Sequence, residues 1–409
     1  MNDNNQHIPS GYKLSPLGPI PEDWEVKKLG DLCENKGDYG LNAPATDYSV
    51  NLPTYLRITD IDDNGNFIHS AKKSVDNLSA KEYYLKDGDI VFARTGATVG
   101  KTYLYDVRDG QLVYAGFLIK FSPNPNKLIP YYLKAHTETK DYTNWVAITS
   151  QRSGQPGINA AEYCSLKLAI PPIEEQERIC NVLQLWDTAI AKQTALIEKL
   201  TLRKRGLMQQ LLTGKKRLKG FGGEWKEVRL GEIARITMGQ SPDSKYYNEI
   251  GLGLPLIQGN ADIQDKKSIQ RFWTSNITKT CEGGDIIMSV RAPVGEIAIA
   301  TQKSCIGRGV CTIKNTSIEK KYLYQLLLFE EDSWKNIEQG GTFTAINSNE
   351  IRNKAVIIPA TDEQNAIASV LVNADKEIEL ANKKLARLQE EKRGLMQVLL
   401  TGERRIIIN

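Results

Sequence analysis

The stretch KRGLMQQLLTGKKR, residues 204–217, returns as KRGLMQVLLTGERR, residues 392–405, with eleven of fourteen positions identical at an offset of 188. Self-similarity at a fixed spacing marks a duplicated structural plan. The same offset aligns IPPIEEQERICNVL (170–183) with IPATDEQNAIASVL (358–371), and Ile158-Asn159 with Ile346-Asn347. Further upstream the offset becomes 201, where DWEVKKLGDL (23–32) answers EWKEVRLGEI (224–233). The chain therefore reads as two halves of one plan. The first half carries 13 more residues between its opening and its repeated end.

The repeated ends are helices by their periodicity. In the first copy Ile179, Leu183, Trp186, Ile190, Gln193, Ile197, Leu200, Lys204, Leu207 and Leu211 step by alternating fours and threes. The second copy repeats the rhythm with Ile367, Leu371, Ala374, Ile378, Ala381, Leu385, Leu388, Lys392, Leu395 and Leu399. A sustained 3.5-residue repeat is a coiled-coil seam. Pro172 and Pro359 precede the helices, and Glu174, Glu175, Asp362 and Glu363 sit where the helix dipole favours acids. Gly214 and Gly402 follow the last apolar positions as natural C-caps. Each helix should be about 40 residues, roughly 60 Å long. Two such helices are expected to pair with each other. Antiparallel pairing would put the two globular parts at opposite ends of a stiff rod, with Gln193, Lys204, Ala374 and Ala381 helping to set the register. The plainer alternative has each helix packing on its own domain.

The expected fold class is α+β: two strand-rich domains joined by two long helices pairing as an antiparallel coiled coil. The boundaries read as 1–168 for the first globular domain and 169–214 for the first, central helix. The second globular domain spans 215–356, and the second, distal helix 357–409.

Bulk properties agree with a soluble protein. Of 409 residues a quarter are charged and 41% hydrophobic, enough for several domains with real cores. The net charge of +4 is too small to point to nucleic acid on its own, because local patches matter more than the sum. Cys33, Cys164, Cys180, Cys281, Cys305 and Cys311 are scattered without a C-x-x-C pair, and the three histidines lie far apart. A metal site or disulfide framework is not expected. The polar N-terminus and the lack of a long apolar run lead to the expectation of a cytoplasmic protein with no membrane partner.

The layout globular–helix–globular–helix resembles the specificity subunit of type I restriction–modification systems. The resemblance is carried by SGQPGINAAEYCSLKLAIPPIEEQERI (153–179) and its counterpart GGTFTAINSNEIRNKAVIIPATDEQNAI (340–367). The framework pieces GDIVFAR and GDIIMSVR, and EVKKLGDL and EVRLGEI, carry it too. It covers nearly the whole chain, from about Trp24 to Arg405. It implies that each globular part is a target-recognition domain reading one half of a split sequence in double-stranded DNA. The helices would set the gap between the half-sites and dock two modification (methyltransferase) subunits. Restriction subunits, which carry ATP-driven translocation and cleavage, would join that core. The chain itself would be non-catalytic and bind no cofactor; S-adenosylmethionine, ATP and Mg would belong to the partners.

Two motifs look like chemistry and fail on inspection. Gly96-Ala-Thr-Val-Gly100-Lys101-Thr102 approaches a phosphate-binding loop but is one residue short. Its twin, GDIIMSVRAPVGEIAI, has Glu296 in the lysine's place. A strand–turn–strand framework shared by both halves explains both copies. Pro242-Asp243 followed by Asp265-Lys266-Lys267 imitates a nuclease pattern, but the surroundings are polar. No Asn/Asp-Pro-Pro-Tyr/Phe methyltransferase motif occurs. No Ser/His/Asp or Cys/His constellation is readable.

Base reading needs Arg, Lys, Asn, Gln, Ser or Thr on loops of a rigid scaffold. In the first half the candidates are Arg57, Arg94, Thr95, Lys101, Ser150, Gln151 and Arg152. In the second they are Gln258, Asn260, Arg291, Arg308, Gln339, Thr342 and Thr344. Tyr39, Tyr48, Tyr246 and Tyr247 are more ordinary half-buried surface groups than base-stacking ones. The stretch 203–219 carries seven Lys/Arg and no acid. It suits either phosphate contact or a helix C-terminus.

Overall fold

A computed structural model describes residues 8–334 and 345–406. The chain divides into two compact units: residues up to 193 with those from 384 onward, and residues 194–383. Each unit therefore holds the N-terminal part of one long helix and the C-terminal part of the other. The helices span Ile173–Leu211 and Thr361–Leu400.

In the first unit an antiparallel sheet pairs the Ile90–Ala93 strand with Thr102–Leu104 on one side and Leu118–Phe121 on the other. Asp38–Tyr39 closes its edge. A second sheet sets Leu112–Tyr114 parallel to Thr54–Leu56. The second unit repeats this. Ile286–Ser289 pairs with Ile297–Ile299 and Val310–Asn315, and Ala234–Met238 takes the edge. Leu254–Ile257 runs parallel to Ser304–Ile306. Every residue of the central strands Ile90–Ala93 and Ile286–Ser289 is buried. That explains why they read as unbroken apolar runs rather than alternating ones.

The repeated Ile-Asn dipeptides start short helices in the same way. Asn159 accepts from the Glu162 amide, while Glu162 caps the Asn159 amide in return. Asn347 and Glu350 do the same in the second unit. This reciprocal capping satisfies two amides that a helix start would otherwise leave unpaired.

The long helices run antiparallel. In the first unit Ile179, Cys180 and Leu183 from the first helix share a core with Met396, Leu399 and Leu400 from the second. In the second unit Leu211 and Leu212 share a core with Ile367, Ala368 and Leu371. Each helix also packs on its own domain at its start, so the two arrangements weighed from the sequence coexist. None of the seam positions is exposed, whereas the off-seam Leu185, Leu202 and Leu380 are 70%, 69% and 66% exposed.

The two seam lysines are paired across the helices. Lys204 meets Asp375 at 2.5 Å, and Lys392 meets Asp187 at 2.7 Å. These are one pair repeated at the offset of 188. Lys392 also reaches Glu138 at 3.1 Å. Burial is the largest influence on Lys392 and works against its charge. Glu138 and Asp187 outweigh it and hold the ammonium above the usual lysine pKa.

A second repeated knot joins each helix start to the other helix's end. Glu175 accepts from Trp24 Nε1 at 3.1 Å and from Arg405 at 2.6 Å. Glu363 accepts from Trp225 Nε1 at 3.3 Å and from Arg217 at 2.5 and 2.6 Å. Arg217 and Trp225 are close in the chain. Arg405 and Trp24 lie near opposite termini, yet they form the same knot. A hairpin of Tyr12–Ser15 and Gly18–Pro21 completes this closure, with Tyr12 OH donating to the Gly402 carbonyl at 2.8 Å.

Candidate nucleic-acid interface

The shortened phosphate-loop sequence is a turn between two antiparallel strands, Ile90–Ala93 and Thr102–Leu104. Gly96 and Gly100 take φ of +73° and +86°, the left-handed region that a turn needs and that glycine adopts cheaply. The Gly100 carbonyl accepts from Tyr142 OH at 2.8 Å, and a Cβ there would lie 2.7 Å from Val146. Lys101 is bound to Asp63 at 2.6 Å. The second unit has the same turn: Gly100 and Gly295 hold equivalent backbone bonds, as do Lys101 and Glu296. The nuclease-like ADIQDKKSIQ segment is a small hairpin whose turn residues Asp265 and Lys266 have positive φ.

Beside this turn each unit presents a second turn on the same scaffold. In the first unit it is Ala115-Gly116-Phe117, leading into the Leu118–Phe121 strand. In the second it is Gly307-Arg308-Gly309, leading into Val310–Asn315. The amides of Arg94 and Val290 donate to Phe117 and Gly309 in equivalent bonds, at 3.0 and 2.9 Å. Gly40 and Gly239 cross beneath the two turns so closely that a Cβ on either would lie 2.2 Å from a carbonyl oxygen. The scaffold is shared while its outer side chains differ. Thr95 and Gly116 stand where the second unit has Arg291 and Arg308.

The candidates from the sequence fall into distinct environments. Arg57 is committed to the buried Asp60 by a bidentate pair at 2.9 and 2.6 Å. Arg94 stacks on Tyr39, 4.9 Å from the ring centroid. Thr95 flanks the turn and bridges to Gly157. Ser150 is buried at the end of the Lys140–Thr149 helix. Gln151 is exposed, and Arg152 is paired with Glu162.

In the second unit Gln258 and Asn260 line a groove with Arg271, Phe272 and Pro293. Asn260 Oδ1 is buried with no hydrogen-bond partner among the described residues. Arg291 and Arg308 are exposed, with no side-chain ion pair among the described residues. Gln339, Thr342 and Thr344 lie outside the described residues. Sequence reading missed Ser241, whose Oγ accepts from the Arg308 amide at 3.1 Å. It also missed Arg271, which lies over Phe272 and 3.6 Å from Asp262. The first had a signal in the paired segments Gly40-Leu-Asn and Gly239-Gln-Ser; the second had none.

The basic stretch 203–219 is partly spent on internal pairs, since Arg203 meets Glu377, Lys204 meets Asp375 and Arg217 meets Glu363. Among the described residues no group of three or more His, Cys, Asp or Glu is placed to hold a metal ion. No described helix is long and apolar enough to cross a membrane.

One scaffold built twice, with different polar rims, and a long helix after each copy, defines a protein with two related recognition units. Residues 21–202 and 222–390 each match the family model described as type I restriction modification DNA specificity domain. The chain is 31% identical over 415 residues to a Methanocaldococcus jannaschii chain assigned as the MjaX type I restriction enzyme specificity subunit, covering 97% of each. It also resembles a chain solved in work on complex assembly and conformational transition of the type I R-M system. There the identity is 26% and the TM-score 0.61, over 94% of this chain and 99% of that one. The S subunit of a type I restriction-modification system from M. genitalium shares the fold at 14% identity and TM-score 0.57, over 92% and 96%. The chain belongs to the type I restriction–modification specificity family, and it is the non-catalytic specificity subunit of such a system.

Proposed function

We propose that each half reads one part of a split sequence in double-stranded DNA, and that the antiparallel helices set the gap between the parts. The readers are residues 1–168 and 215–356, and the spacers 169–214 and 357–409. Two methyltransferase subunits dock on this core in the cytoplasm and restriction subunits join them. These partners supply S-adenosylmethionine, ATP and Mg chemistry.

The observation that carries the reading is the contrast at the rims. Two units built on one backbone plan differ in charge at equivalent turn positions, as readers of two different half-sites should. Loops on a rigid scaffold are also where recognition residues concentrate. Replacing residues 1–165 with the equivalent domain of a relative, in the assembled methyltransferase, tests it. The methylated motif should change in one half only. A change in both halves would contradict two independent readers. DNA binding should weaken steeply with added salt, because each neutralised phosphate releases counterions.

A further inference from the structure

We propose that Arg308 reads a guanine in the half-site bound by the second unit, gripping O6 and N7 from the major groove. The inference rests on the half-site reading above. The turn that carries Arg308 is stiff. The Gly307 amide donates to the Ile257 carbonyl at 2.8 Å, the Val310 amide donates to Gly307 at 3.1 Å, and the Arg308 amide donates to Ser241 Oγ at 3.1 Å. Side chains are excluded or crowded on either side. A Cβ on Gly309 would lie 2.1 Å from the Gln258 carbonyl oxygen. One on Gly307 would lie 3.2 Å from both Gln258 Oε1 and Ser241 Oγ. Only Arg308 has open space, and it is exposed.

Arg291 strengthens the case. The strands pair Ser289 with Val310, and the Val290 amide donates to Gly309. One step further, Arg291 and Arg308 fall opposite each other. Like charges across a strand pair are unfavourable without a counter-charge. The nearby carboxylates are engaged elsewhere: Asp243 with Lys245, Asp262 with Arg271, and Glu296 with Lys266. An exposed arginine pair with no acid paired to it among the described residues suits a polyanion. A phosphate contact needs only the charge. A planar fork fixed on a stiff turn, beside the Gln258 amide, suits the edge of a base, and guanine is the base that offers two acceptors to such a fork.

The test uses the chain assembled with its methyltransferase subunits. The wild-type motif should hold a G·C pair in the second unit's half-site. Arg308→Ala should accept other pairs at that one position and leave the rest of the motif unchanged. Arg308→Lys keeps the charge but loses the fork, and should relax the same position. Replacing that guanine by 7-deazaguanine removes N7 and should weaken wild-type binding roughly tenfold or more, with little effect on Arg308→Ala. A split motif left intact by Arg308→Ala would overturn this inference alone. So would a loss of affinity uniform across sequences, the mark of a phosphate contact. A wild-type complex with no split motif would overturn the half-site reading and this inference with it.

Discussion

His136 shows how much a single side chain hides from sequence reading. Its ring is half-buried overall and packs edge-on against Tyr132 at 4.9 Å, but Nε2 is sealed from solvent with no hydrogen-bond partner of good geometry among the described residues, and the Ala169 backbone only partly offsets the burial. Burial pushes its pKa down to about 4, so the folded chain keeps it neutral where the unfolded chain takes up a proton. Between pH 6.5 and 4 the unfolded state therefore binds more protons, and stability falls as the pH falls. The loss through this window should be about 3 kcal/mol. His136→Phe should flatten that part of the curve in denaturant titrations; equal slopes would contradict the assignment. The same limit applies at the rims. Arg57 and Arg152 look as available in the sequence as Arg291 and Arg308. Only the fold shows that Asp60 and Glu162 occupy the first two. Which cations stay free is settled by ion pairs that form only in the folded geometry, even where the partner is as near in sequence as Asp60 is to Arg57.

At the scale of elements the helices were the most legible part of the chain. Their apolar spacing is set by the seam they bury, so periodicity and burial report the same fact. Lys204 and Lys392 interrupt that spacing, and each finds the equivalent aspartate on the opposing helix. Asp375 also accepts from Gln325, which ties the seam to the domain. Asp375→Ala should leave Lys204 largely buried without a carboxylate and cost about 1–3 kcal/mol in chemical denaturation, less than a fully buried pair because Asp375 is partly solvated. Changing both residues to leucine should recover most of the loss. If Asp375→Ala is neutral, the pair does not hold the register. The knots at Glu175 and Glu363 were less legible. Those acids read as helix-dipole partners, and the contribution of distant Trp24 and Arg405 depends on closure of the whole chain.

For the whole molecule, the internal repeat carried both the fold class and the family resemblance, because duplication copies the framework that packing constrains. The rims escaped this logic. The offset between halves drifts as loops of different length intervene, so Gly116 aligns with Arg308 only through the shared backbone bonds. On the proposed function, this chain alone gives the complex its split target. The most direct measurement is a genome-wide methylation map of cells holding the chain and its neighbouring methyltransferase subunit, against cells lacking only this chain. A two-part motif with a fixed gap, present only with the chain, is the predicted result. An identical map in both cells, with the methyltransferase active, would contradict it.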